Sequence, residues 1–428
     1  MKRNCMLMIL CSLLLCLTGC VRKQEGLICT MPVDTTQITE PAQEAAMPQT
    51  EPMATTEAPE VILPPAEKIT EGVMGLEGAE QWACLTDGNY QTKATIKPGQ
   101  SLILESDRKI GGVYLQWDSH PGEYCIFWEG GSMVCGADNF LHEYVMLPEP
   151  ARRVTLVPSQ SASICELTLF TEGEPTGQVQ RWLPPCEQAD VLVFPTHSDD
   201  DALFFGALIA HCAIERELTV QTAFMADHYY EPVRNHERLN GLWEMGVRHY
   251  PILGTARDYY PQSVSAAENF HRQDDILGWQ VEQLRRFRPL VAVGHDWNGE
   301  YGHPQHILNA RYLTQSVELA AQEDQYPQTA QSYGVWDTPK LYLHLYGEDP
   351  LILEVNAPLE KDEQSRTAFR VAEDAYRHHK SQHQYYYQVL QGEEHPQEDC
   401  TRFGLFRSTV GTDTGWDLME NTEWIRTQ

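Results

Sequence analysis

The stretch Val191–Asp201, VLVFPTHSDDD, runs from apolar residues straight into side chains that bind metal ions: His197, Asp199, Asp200 and Asp201. Histidine and carboxylate without sulfur suit a catalytic centre with three protein ligands and a place for water, whereas closed structural sites usually use thiolates. A second set, His303 and His306, lies far along the chain. Pro304 suits the first turn of a helix and brings these two histidines together at i, i+3, so that one can bind metal and the other can face a substrate. Acids before a helix also serve as caps. Three in a row at one strand end nevertheless repel one another unless a cation or solvent intervenes. Taken together, the two clusters predict a metal-dependent hydrolase.

The elements that must position these residues follow from periodicity. Val191–Phe194 is β-branched and aromatic and stops at Pro195, which predicts a buried parallel strand, and a helical pattern follows from Asp201. The ligands therefore sit at a strand's carboxyl end, where open α/β sheets collect them. Further strands are predicted at Leu218–Met225, Tyr250–Leu253, Leu290–Gly294 and Lys340–Tyr346. Helices are predicted at Pro232–Met245, Ala267–Phe287, Pro304–Ala321 and Thr367–Lys380. This alternation gives an α/β class, with a Rossmann-like parallel sheet covered on both faces over residues 183–428.

Residues 68–182 read differently. Short alternating strands at Ser101–Glu105, Gly112–Trp117, Tyr124–Trp128, Glu143–Leu147, Arg153–Val157 and Ile164–Phe170 predict an all-β sandwich. Its turn motifs resemble discoidin-like and galactose-binding-like modules. Trp117, Tyr124 and Trp128 could stack on a sugar, though such rings are more often core. Cys125 and Cys135 flank Gly130-Gly131 and could be bridged across a hairpin.

The 428 residues are 42% hydrophobic and 21% charged, enough for two ordinary domains with real cores. A formal charge of −30, with 61 acidic against 31 basic residues, excludes a phosphate-backbone binder, so no nucleic-acid partner is expected. At the start, Lys2-Arg3 precede an apolar run, Cys5–Leu17, too short to span a membrane. Leu17-Thr-Gly-Cys20 resembles the bacterial lipobox. That resemblance implies a signal over 1–19, a lipidated Cys20 holding the protein on the membrane, and an extracytoplasmic location. Residues 20–67, rich in Gln, Glu, Thr, Pro and Ala, are predicted to be a disordered tether.

His197-Ser-Asp-Asp-Asp resembles the His-Pro-Asp-Asp-Glu motif of the PIG-L/LmbE-like deacetylases, and Gly302-His-Pro-Gln-His resembles their Gly-His-Pro-Asp-His. The likeness extends to Arg234-Asn-His-Glu, Gly246-Val, Tyr376-Arg-His-His-Lys-Ser-Gln and Phe403-Gly-Leu-Phe-Arg-Ser-Thr-Val-Gly. It implies removal of the N-acetyl group from an N-acetylglucosamine-containing substrate, with one zinc ion. His197, Asp200 and His306 would bind Zn2+, and Asp199 would be the general base. His303 would steady the oxyanion or protonate the amine, and Arg234 would lie near the substrate, with an ion pair to Glu237 as the competing role. The chain departs from the motif at Ser198, Asp201 and Gln305. The last replaces an aspartate that would orient His303, which implies either weaker activity or that Asp296 or Glu300 substitutes. The rival readings are a zinc amidase for another acylated amine and a non-catalytic glycan-binding surface lipoprotein.

Overall fold

The computed structural model describes residues 63–70, 73–76, 83–414, 417–422 and 424–427. The proposed signal, Cys20 and most of the tether lie outside the described residues. The tether ends earlier than its predicted limit of residue 67. Ala66 is buried, and its N–H donates to the Glu174 carbonyl at 2.6 Å. Among the described residues no helix is long and apolar enough to cross a membrane.

Eight strands come first: β1 (Lys68–Ile69), β2 (Val73–Leu76), β3 (Ala94–Ile96), β4 (Leu102–Trp117), β5 (Tyr124–Trp128), β6 (Gly131–Cys135), β7 (His142–Pro158) and β8 (Ala162–Phe170). They form one connected antiparallel sheet, in the order β1-β8-β4-β7-β5-β6 with β2 on β4 and β3 on β8. Two pairs of predicted strands prove to be single long ones. Ser101–Glu105 and Gly112–Trp117 both belong to β4, and Glu143–Leu147 and Arg153–Val157 both belong to β7. Strand β4 changes one partner along its length: Leu102–Glu105 pairs with β2, and Gly112–Trp117 pairs with β8, while β7 stays on β4 and gains β5 at Val154–Pro158. Register shifts between Glu105 and Gly112 mark the change, as bulges bend a strand and raise its twist.

For the aromatic rings of this module the core reading holds over the sugar-stacking one, and the possible hairpin disulfide does not form. Trp117 and Tyr124 are fully buried and pack on each other at 5.1 Å, and Trp128 is half-buried, so these rings form core rather than a sugar platform. Cys125 lies opposite Val134, while Cys135, opposite Tyr124, is a free thiol. Cys125 and Cys135 therefore point to opposite faces of the hairpin and are not bridged.

The second part is built on β9 (Val191–Val193), α1 (Asp200–Leu203), α2 (Gly206–Ala210), β10 (Val220–Asp227), α3 (Val233–Glu244), β11 (Ile252–Arg257), α4 (Val264–Phe270), α5 (Gln273–Phe287), β12 (Val291–Gly294), α6 (Pro304–Ala320), α7 (Pro327–Tyr333), β13 (Lys340–His344), β14 (Leu351–Ile352), α8 (Ala368–Tyr376) and β15 (Arg402–Ser408). Its sheet order is β11-β10-β9-β12-β13-β15-β14. The pairs from β11 to β13 are parallel, and β15 and β14 add an antiparallel edge. Strand β9 lies between β10 and β12, so the winding reverses at its carboxyl end. Such switch points open a crevice.

Alternation along β9 divides its side chains between two cores. Val191 and Val193 join residues of α2, α3 and α8. Leu192 joins Val281, Leu284 and Phe287 of α5 and Leu313, Val317 and Ala320 of α6. Gly206 is needed for the first of these layers, because a Cβ there would meet Ala372 Cβ of α8 at 2.8 Å. The predicted helix Ala267–Phe287 is broken at His271 and Arg272, both extended. Asp274 and Asp275 then start α5, where negative charge favours a helix N-terminus.

Candidate metal and hydrolytic centre

The parallel strands deliver polar side chains to one edge. His197–Asp201 follow β9, His228 follows β10, Asp258 follows β11, His295 follows β12, and His344 ends β13. The loop before α6 adds Glu300 and His303, and the first turn of α6 adds His306. It curls through positive φ at Gly299, Tyr301 and Gly302 (71°, 44° and 74°), and it places Pro304 in the first turn of α6, as predicted.

The three expected ligands are brought together. His197 Nδ1 lies 3.2 Å from Asp200 Oδ2 and 3.2 Å from His306 Nε2, and His306 Nε2 lies 3.3 Å from Asp200 Oδ2. A tetrahedral cation with bonds of ~2.0–2.1 Å sets its ligand atoms about 3.3 Å apart, which matches this triangle.

The surrounding hydrogen bonds decide what those atoms present. Gln305 Nε2 donates to the Arg257 carbonyl at 2.9 Å, which turns its Oε1 toward His197 Nε2, 2.9 Å away. His197 therefore donates from Nε2 and keeps a lone pair on Nδ1. His306 donates from Nδ1 to Glu300 Oε2 at 2.8 Å and keeps a lone pair on Nε2. Asp200 Oδ2 is fixed by the His197 and Thr196 amides at 2.6 and 3.2 Å. Three acceptors thus converge on one point, an arrangement that requires positive charge there. Burial resists charging of His197 and His306, yet Asp200 outweighs it and holds both above their ordinary range. A metal ion can supply the charge that protons otherwise would.

Potential ligand atoms also fall into two overlapping groups, His197–His303–His306 and Asp200–His295–His306. His295 Nε2 already accepts the Thr196 amide at 2.9 Å, and His303 Nδ1 accepts the Gln305 amide at 3.3 Å. The triangle of His197, Asp200 and His306 is the set with its inner lone pairs uncommitted.

Asp199 stands beside this triangle as the cap of α1, buried and with φ 148°, a conformation that costs a non-glycine residue energy. Its Oδ1 takes an ion pair from Arg234 Nη2 at 3.1 Å, and its N–H donates to Asp201 Oδ1 at 3.0 Å. Burial pushes its carboxyl up to about 7 against the pull of Arg234. Arg234 does not pair with Glu237, which instead accepts from Ser381. Arg234 also holds Asp258 at 2.6 Å and donates to the Ser198 carbonyl at 2.8 Å.

The expected aid to His303 is absent. The Gln305 side chain serves His197, and Glu300 serves His295, His306 and His344 at 2.8, 2.8 and 2.7 Å. Burial, with His306 and His197 alongside, holds His303 down to about 2. It is thus a neutral ring with its proton on Nε2.

Sequence reasoning passed over His228, which accepts the Ser198 amide at 2.9 Å and donates to Asp258 at 2.9 Å. It also passed over His295, His344 and Asp258, and it gave Glu300 only a stand-in role. Their signal was present: each is the polar residue at the carboxyl end of a parallel strand or in the loop that follows.

No family model matches the chain. The 1D-myo-inositol 2-acetamido-2-deoxy-alpha-D-glucopyranoside deacetylase 1 of Catenulispora acidiphila is 30% identical over 204 residues, covering 41% of this chain and 61% of that protein. The deacetylase of the same description from Streptomyces avermitilis is 28% identical over 178 residues, covering 36% and 60%. The chain thus spans less than two thirds of the length of either relative. Among solved structures, N,N'-diacetylchitobiose deacetylase from Pyrococcus horikoshii aligns at TM-score 0.33 and 18% identity over 46% of this chain and 72% of that one. The zinc inhibited form of teicoplanin deacetylase Orf2 aligns at TM-score 0.28 and 15% identity over 45% and 84%.

Proposed function

We propose that this protein is a zinc-dependent hydrolase that removes the N-acetyl group from an N-acetylglucosamine-containing substrate. The observation that carries this reading is the triangle of His197 Nδ1, Asp200 Oδ2 and His306 Nε2 at 3.2–3.3 Å, with the outer nitrogens of both rings already donating. The names of the similar proteins, deacetylases of an acetamido sugar, support the substrate class.

His197, Asp200 and His306 would hold the ion. Zinc bound there supplies a Lewis acid that lowers the pKa of water and polarises a carbonyl. Asp199, which is outside the ligand triangle, accepts the proton of the attacking water. His303 donates its Nε2–H to the oxygen that becomes negative as water adds to the acetyl carbon. Because the His303 ring is neutral, the proton that leaves with the amine as the C–N bond breaks comes from Asp199. Arg234 orients Asp199 and keeps its charge localised.

For the whole chain, we read β1–β8 as a two-leaf sandwich, on the switch of β4 from β2 to β8 and the bends in β4 and β7. We place the protein outside the cytoplasm on a lipidated Cys20, on the strength of the sequence motif. The test of the catalytic reading is Asp199→Asn. This variant should retain stoichiometric zinc by elemental analysis while acetate release from N-acetylglucosamine glycans falls by about 10²–10⁴-fold. Near-normal turnover would remove Asp199 from the mechanism.

A further inference from the structure

An open cleft of about 500 Å³ lies between the two parts of the molecule, with Gln91, Lys93 and Asp118 of the β module on one wall and Tyr230, Glu231 and Gln384 on the other. A second cavity, about 370 Å³, shares Tyr230 and Glu231 with it and is lined by His228 and Asp258. Those two residues touch the hydrolytic centre: Asp258 Oδ1 is 3.7 Å from His197 Nε2, and His228 holds the Ser198 amide. The two cavities therefore adjoin at Tyr230 and Glu231, and the second is bordered by residues in contact with the turn that carries His197 and Asp199.

From the chemistry of these adjoining cavities we infer that the cleft is an extended substrate subsite for a neutral oligosaccharide, whose acetylated sugar sits at the metal centre and whose further sugars run onto the β module. This inference rests on the deacetylase reading above. Lys93 is neutralised by Asp118 at 2.7 Å, and Glu231 adds a negative charge, so the lining of the 500 Å³ cleft holds no unpaired cation for an anionic ligand. Gln91 and Gln384 are exposed amides that can donate and accept at once, as vicinal hydroxyls and acetamido groups require. The Tyr230 ring is 71% exposed and backed by Arg257, whose guanidinium carbon lies 4.7 Å from the ring centroid, which leaves the ring available to the apolar face of a sugar. The walls are also fixed relative to each other. Tyr90 of the β module stacks on His236 of α3 with centroids 4.1 Å apart, and His142 bonds His236 at 2.8 Å. A preformed cleft binds a chain without the cost of assembling its walls.

The experiment compares N-acetylglucosamine with its β-1,4-linked tetramer on the full chain. The wild type should favour the tetramer by at least about tenfold in kcat/KM, and both Gln91→Ala/Gln384→Ala and Tyr230→Ala should cut that ratio about tenfold at unchanged melting temperature. A wild-type ratio near one, or a ratio the variants leave alone, would overturn the subsite. If neither sugar is hydrolysed, the deacetylase reading fails separately, and calorimetry decides the cleft. Tetramer binding that weakens in the variants upholds it, and no binding, or equal binding, rejects it.

Discussion

Two groups of buried histidines show how the same side chain can demand a cation in one place and exclude it in another. At the metal centre, both rings give their outer protons to fixed acceptors, Gln305 and Glu300, so their inner lone pairs face Asp200 and each other. At the junction of the modules, His142 donates from Nδ1 to Gln180 Oε1 at 2.7 Å and accepts on Nε2 from His236 Nδ1 at 2.8 Å. The junction chain alternates donor with acceptor and runs on through Gln180 and Asn240 to the hydroxyl of Tyr90, whose ring stacks on His236. The difference lies on the inner side. His197 and His306 face each other and Asp200 acceptor to acceptor, which calls for a cation, whereas His142 meets a donor on His236, which turns the pair into a link.

The largest effect expected from breaking this contrast is at the inner triangle. His306→Ala should reduce bound metal to background in elemental analysis and abolish turnover. Retention of a full equivalent of metal would show that the ion is held elsewhere. One shell out, Gln305→Ala should keep the site but free the His197 ring. It should weaken metal affinity by about 10–100-fold in a chelator competition, and an unchanged affinity would detach Gln305 from the centre. At the junction, His142→Ala leaves the buried His236 Nδ1 without its acceptor, while Gln180 keeps its bonds to Trp182 and Asn240. The variant should lower the unfolding free energy by about 1–3 kcal/mol while metal content stays constant.

The junction also has a pH signature of fixed sign. Burial holds His142 down to about 4, so the folded protein keeps it neutral while the unfolded chain charges it near an ordinary pKa of about 6.5. The unfolded state therefore binds more protons between these values. This contribution to stability is complete above about pH 6.5 and is lost as the pH falls through about 4. Urea midpoints at several pH values should show that loss in the wild type and less of it in His142→Ala.

How much of this was legible in the sequence depends on how local each signal is. His197, Asp199 and Asp200 lie in one turn after a plainly buried strand, and His303 and His306 flank an N-terminal proline, so short-range patterns suffice to find them. Glu300 is different: it meets His295, His306 and His344 because β12, α6 and β13 converge, and nothing around it in sequence announces that. Gln305 misled because motif position suggested service to its neighbour His303, while the helix points its amide across to His197 instead. The segments of β4, β5, β7 and β8 were found and those of β1, β2, β3 and β6 were not, and the continuity of β4 and β7 was missed because a bend within a strand leaves the same break in alternation as a turn does. Trp117 and Tyr124 were ambiguous for a related reason: composition gives no sign of which face of a strand is covered.

The aromatic seam between the modules has a practical corollary. Trp182 meets Trp243 and Tyr250 edge-on at 5.4 and 5.6 Å, and Phe140 of the β module lies against Tyr250 at 4.8 Å. Cutting the chain near residue 183 would strip these rings of their cover and leave a sticky surface on each fragment. The protein is accordingly expected to tolerate truncation at this seam poorly.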